Sequence, residues 1–365
     1  MSSQKIAADE ESDPERAAEE NYDFDEQPPI DIVSYNELRS CADLNRLHVS
    51  GQLEIQPDFQ REVVWTTPGQ TRFIDSLIKL LPIPSMCFSF DQKARKFKVI
   101  DGLQRMSSIT RFLGEAPWTL SRLKDIDRRI SGKQNKEFDS DPVLSSLKER
   151  VENLTIPVNI IRCDYSQESH MNFLFAIFHR LNSGGAKLNN QEIRNCIYSG
   201  TFNDMLKQLD ADDLAWQSIK ERIAGSTARF KSTELILRFF AFEGNLDKYS
   251  GSFPKFLNNY MQARRTLGEE EETTMADKFV RTTAFIHQRI LPVLQDRGGF
   301  AFWEALMVGV GRNIDSLVNR DDDVISTALH RFRGIPELAP EALRAALSGT
   351  EKVKARISGA VAAFS

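Results

Sequence analysis

At 365 residues, with 41% hydrophobic and 27% charged side chains, the chain is long enough for two domains and has the composition of a folded globular protein. It contains no run of about 18 apolar residues, which excludes a membrane-spanning helix. Its acidic N-terminus carries no apolar leader, so a cytoplasmic location and no membrane partner are expected. The net charge of −5 is unevenly spread: residues 1–26 hold ten acids against Lys5 and Arg16, a local charge of −8, leaving +3 for the rest. A mildly basic folded part permits a local nucleic-acid surface without requiring one. Cys41, Cys87, Cys163 and Cys196 are scattered without C-x-x-C spacing. The five histidines form no pair at helical spacing, so neither a disulfide framework nor a zinc site is expected.

In chain order, residues 1–28 are acidic and poor in apolar groups, and read as a disordered tail. Residues 35–47 carry a modest helical pattern, and 48–55 read as a strand interrupted by Gly51. A helix over about 68–81 has Phe73, Ile74, Leu77, Ile78 and Leu81 on one face and is stopped by Pro82 and Pro84. Residues 86–90 and 97–100 read as a strand pair. The helix after Asp101 buries Met106, Ile109, Phe112 and Leu113, with Gly114 as a left-handed cap. A charged stretch over 118–140 suggests loops or short helices; 144–151 is helical and 156–161 a β-branched strand. From Gln167 onward the pattern is helical almost throughout, including 235–240, which must be buried on most sides. The acidic run at 269–272 reads as a solvated helix start, favoured there by the helix dipole. The change of period gives a tail at 1–28, an α+β domain at 29–165, an all-helical domain at 166–335 and a C-terminal helical tail at 336–365.

Three clusters carry chemistry. Gln60 and Arg61, with Trp65, lie between a strand and a helix; they read either as a ligand-facing loop or as a surface pair and an aromatic plug. At residues 101–105 a short apolar run ends in Asp101 and Gly102, and a helix opens with Gln104 and Arg105 in its first turn. Such a strand–turn–helix presents unpaired N–H groups, a carboxylate and a phosphate-matching guanidinium to an anion. Asp101 could hold a divalent ion or orient water; alternatively it caps the helix, with Arg105 on the solvated face. In the third cluster a helix ends at Arg180, a Gly-Gly loop comes next with Asn182 and Lys187, and Asn189 with Glu192 forms a capping-box pattern.

The segments PDFQREVVW, FIDSLIKLLPIPSMCF, VIDGLQRMSSITRFL, FHRLNSGGAKLNNQEIRN and RFKSTELILRFFAF occur in an order, over roughly residues 50–243, that resembles the N-terminal domain family of GmrSD-type restriction enzymes. That family's core is related to the ParB/sulfiredoxin fold. The resemblance implies a nucleotide-binding, often NTP-hydrolysing module used in defence against phage DNA. Gln60, Arg61, Gly102, Arg180, Asn182 and Lys187 then become nucleotide-binding residues. Asp101, Gln104 and Arg105 become catalytic ones, Asp101 also holding Mg²⁺. The nucleotide is an NTP, with GTP one candidate. Leu103 stands where the family usually has a first glutamine, so one polar contact is missing. Residues 245–365 show no His-rich nuclease signature, which suggests a separate nuclease subunit or a role without DNA cleavage. A metal-dependent DNase and a nucleotide-switched, DNA-associated regulator are the competing readings.

Overall fold

The structure, a computed structural model, describes residues 28–55, 65–181, 188–223, 230–294, 298–339, 341–344 and 348–365. It is an α+β molecule as expected: one five-stranded sheet and fourteen α-helices among the described residues. The chain divides into two compact units, residues 26–187 and residues 188–365. Among the described residues no helix is long and apolar enough to cross a membrane.

The first unit holds the whole sheet, in the order β1-β5-β3-β4-β2. The hairpin of β3 (Met86–Asp91) and β4 (Lys96–Asp101) matches the strand pair read from the sequence. Strand β5 (Thr155–Cys163) runs parallel to β3, and β1 (Val33–Ser40) pairs antiparallel with β5 along its full length. That pairing overrides the first part, residues 35–40, of the helical pattern expected over 35–47, whose remainder is helical. Helix α1 (Cys41–Val49) starts only after Ser40, whose hydroxyl accepts from the Asp43 N–H. The strand expected over 48–55 shrinks to β2 (Leu53–Glu54), because α1 continues to Val49 and the chain turns at Gly51, φ 70°.

Helices α2 (Thr67–Ile78), α3 (Leu103–Leu113) and α4 (Pro142–Asn153) pack with α1 over one sheet face. Ile74, Leu77, Met106, Ile109, Phe112, Leu147, Phe88 and Val158 form the core there. Strand alternation sends Ser89 and Lys98 the other way. On that face the Tyr165 hydroxyl bonds Ser89, and the Lys98 ammonium lies 5.4 Å from the Tyr165 ring centroid. Helix α5 (Glu168–Leu181) packs against β4 and stays with this unit, so the division falls after residue 187 and not at 165. Buried His170 fixes its start: its Nδ1 accepts from the Asp164 N–H at 2.9 Å, leaving Nε2 to donate to Asp31 at 2.9 Å.

The second unit is helical: α6 (Asn190–Ile197), α7 (Thr201–Asp212), α8 (Leu214–Lys220), α9 (Lys231–Asn245), α10 (Phe253–Ala263), α11 (Glu269–Phe285), α12 (Phe300–Leu317), α13 (Asp322–Arg333) and α14 (Thr350–Phe364). Residues 336–365 are not a separate tail. Helix α14 lies along α12 so closely that a Cβ on Gly309 would stand 2.8 Å from the Ala360 carbonyl oxygen, and the Asn313 amide donates to the Val361 carbonyl. Ahead of α14, a 3-10 turn at Ala342–Arg344 is described.

A buried chain of charges ties four of these helices together. Arg194 of α6 donates to Glu234 of α9 at 3.1 Å, and Arg238, one turn on, donates to Glu234 at 2.7 Å and to Glu304 of α12 at 3.0 Å. Arg356 of α14 completes it, donating to Glu304 at 2.7 Å. Burial opposes ionisation of Glu234, yet the Arg238 and Arg194 guanidiniums outweigh it and hold the carboxyl below its usual range. Arg238 also lies 4.0 Å from the Phe253 ring centroid, so the charge is enclosed by aromatic surface as well as by acids. Glu304→Ala would leave two buried guanidiniums without their shared carboxylate. It should destabilise the protein by about 3–5 kcal/mol in urea unfolding, far more than loss of an exposed pair such as Arg281 with Asp315.

Candidate functional site

The site is built at the carboxyl end of β4. Val99 pairs with Phe88 but Asp101 pairs with Cys87, so Ile100 is an extra residue in β4, a bulge immediately before the turn. A bulge bends the strand and re-aims the residues beyond it. Val99 and Ile100 are both buried, and the Asp101 side chain emerges 47% exposed. Gly102 then takes the left-handed conformation, φ 95°, as the N-cap of α3, and being glycine it supplies no side-chain cap bond. The left-handed residue expected at Gly114 is thus found at the opposite end; Gly114 itself is extended. A Cβ on Gly102 would stand 2.5 Å from Met86 Cγ, so both backbone angle and space demand glycine here.

Asp101 is therefore not the helix cap, and Arg105 is not on a solvated face. Arg105, 13% exposed, donates from Nη2 to Asp101 at 2.8 Å and from Nη1 to the carbonyls of Pro84 and Ser85. Those carbonyls belong to the segment between α2 and β3, which contains the two prolines that stop the helix. Irregular backbone still needs donors for its carbonyls, and that requirement was the available sequence signal for this contact. Gln104 reaches across to α2: its Oε1 accepts from the Trp65 N–H at 2.8 Å. Trp65 packs edge-on against Phe73, centroids 5.6 Å apart, and remains 39% exposed. Leu103 packs against the core.

The structure thus joins Asp101, Gly102, Gln104 and Arg105 in one corner and adds Trp65 to it. Arg180 is exposed on the last turn of α5, in the sheet-bearing unit and not in the helical one where its role was expected. Gln60, Arg61, Asn182 and Lys187 lie outside the described residues. The capping box of Asn189 and Glu192 is present, with Glu192 Oε2 accepting from the Asn189 N–H at 2.7 Å. The cysteines offer no nucleophile at neutral pH in the first unit: burial pushes the Cys41, Cys87 and Cys163 thiols up to about 12.

Among the described residues no group of three His, Cys, Asp or Glu side chains could cage a metal ion. A single exposed carboxylate such as Asp101 does not make a resident all-protein metal site.

Residues 44–199 match the family described as GmrSD restriction endonuclease, N-terminal domain, so this segment is similar to a GmrSD-type N-terminal domain. No curated protein and no solved structure matches the chain. Gly102→Ala should destabilise the protein by about 2–4 kcal/mol, from left-handed strain plus the collision with Met86, read as a lower urea midpoint at unchanged slope.

Proposed function

We propose that the chain is a nucleotide-binding, NTP-hydrolysing component of a GmrSD-like DNA restriction system, with the phosphates seated at the residue 101–105 corner. The observation that carries this reading is the start of α3, whose cap residue Gly102 offers no side chain and which stands beside an exposed carboxylate and a guanidinium. The first N–H groups of a helix point at whatever lies beyond its end, and the dipole favours an anion there. Gly102 lets the backbone approach that anion closely. Arg105 has Nε–H and one Nη2–H beyond its three bonds, suited to a phosphate oxygen. Asp101, with Mg²⁺ carried on the phosphates, would hold the ion, which supplies neutralisation of the developing charge. The Trp65 N–H fixes Gln104 with its amide oxygen toward α2 and its NH₂ turned away from it. The exposed face of Trp65 offers a platform for a nucleobase. Gln60, Arg61, Arg180, Asn182 and Lys187 complete the proposed phosphate shell, and a ParB/sulfiredoxin-like core belongs to the same proposal. DNA and a separate nuclease subunit are the proposed partners.

A panel of nucleotides, GTP included, tested for binding and phosphate release with and without DNA checks the proposal. Arg105→Ala should weaken nucleotide binding about 10- to 100-fold while the circular dichroism spectrum is retained. Asp101→Asn should reduce Mg²⁺-dependent phosphate release more than binding. Unchanged affinity in Arg105→Ala would remove the corner from consideration. Plasmid nicking with Mg²⁺ that stops in Asp101→Asn would favour the DNase reading instead, and tight binding without phosphate release the regulator.

A further inference from the structure

A groove of about 630 Å³ lies within the helical unit, between α7 and α8 on one side and α11 on the other. Its apolar surface comes from Met205, Leu209 and Leu214 on the first wall and from Ala276, Val280 and Ala284 on α11. Leu214 is 83% exposed and Val280 43% exposed, so large apolar side chains stand open to solvent along it. Its remaining character is acidic. Asp212, Asp213, Glu269, Glu272 and Asp277 line it, and no lysine or arginine is among the lining residues.

Ordinary helix chemistry accounts for part of this charge only. Asp213 is used internally, capping the Trp216 N–H and accepting from the Thr283 hydroxyl at 2.7 Å. Glu269 and Glu272 sit in the first turn of α11, where the dipole favours them. Asp277 lies beyond that turn, and Asp212 is the last residue of α7, the end at which a carboxylate is disfavoured. None of Asp212, Glu269, Glu272 and Asp277 makes an ion pair with a described residue.

We infer that this groove receives a basic amphipathic helix of a partner protein. Apolar walls with a one-sign acidic rim are complementary to a helix with one apolar stripe flanked by lysine or arginine. The α11 residues on the groove run from Glu269 to Ala284, about 22 Å at 1.5 Å per residue, which is the length of about four turns of an occupant. The acidic segment at residues 1–26 has the wrong sign to fill it, as does DNA.

Fluorescence anisotropy of the full chain with a labelled leucine/lysine peptide of about four turns, its leucines at i, i+3, i+4 and i+7, tests this. The peptide should bind more tightly than a scrambled one of identical composition. Combined Glu269→Gln, Glu272→Gln and Asp277→Asn substitutions should weaken it about tenfold or more, and Val280→Glu, at an exposed position, should do likewise with the fold intact by circular dichroism. Equal binding of the scrambled peptide, or undiminished binding to either variant, would overturn the proposal. So would a concentration-dependent dimer in sedimentation that the same substitutions dissolve, since the groove would then belong to a second copy of the chain.

Discussion

The guanidinium of Arg105 is the fastening on which the candidate site depends. It bonds the carboxylate that ends β4 and two carbonyls of the segment that enters β3, so three pieces of backbone meet on one planar group. Arginine can do this because its donors form a rigid fork; a lysine would present one point charge to acceptors in different directions. The bulge at Ile100 and the left-handed Gly102 set the angle at which strand and helix meet. The guanidinium then holds that angle, with Met86 filling the space a side chain at residue 102 would need. In the proposed function the same arginine would also meet phosphate, so structural and binding roles would overlap in one side chain. Asp101 is at once its anchor and the exposed carboxylate of the corner.

The helical unit relies on a different device. Three arginines and two glutamates, all but enclosed, run in sequence through α6, α9, α12 and α14. Replacing such a network wholesale by apolar groups often costs little, whereas removing one member leaves an uncompensated buried charge. Its contribution is therefore better described as fixing which helix faces meet. An apolar pattern alone would let α9, buried on nearly every side, slide or rotate against its neighbours. The i and i+4 spacing of Glu234 and Arg238 was visible inside an otherwise apolar helix, but their partners Arg194, Glu304 and Arg356 are distant in sequence.

Much of the local architecture was legible in the residues. The strand pair at 86–101, the helices after Trp65 and after Asp101, and most of the helical second half come from period and from proline and glycine punctuation. So do the helix start at 269–272 and the capping box at Asn189. The segments that resemble the GmrSD N-terminal domain were legible as well: the family match over residues 44–199 covers the first four, while RFKSTELILRFFAF lies beyond it. The errors are of one kind. Residues 35–40 read as helix because their own pattern is weak, and a partner strand more than a hundred residues away decides the matter. The alternative of a solvated Arg105 stayed open on the residues themselves, because two of its acceptors lie about twenty residues back.

By itself the sequence determined the α+β class, the helical second half, the strand–turn–helix at Asp101 and the residue types that could meet an anion there. These depend on interactions within a few residues: hydrogen-bond periodicity, capping, and the angles that glycine and proline permit. Only the tertiary structure decided that β1 is a strand, that α5 stays with the sheet, and that the left-handed glycine is at the head of α3 and not its tail. It alone placed the groove between α7, α8 and α11. Each of these turns on pairing or burial between segments far apart along the chain, where the free energy of the contact outweighs the local preference of either segment.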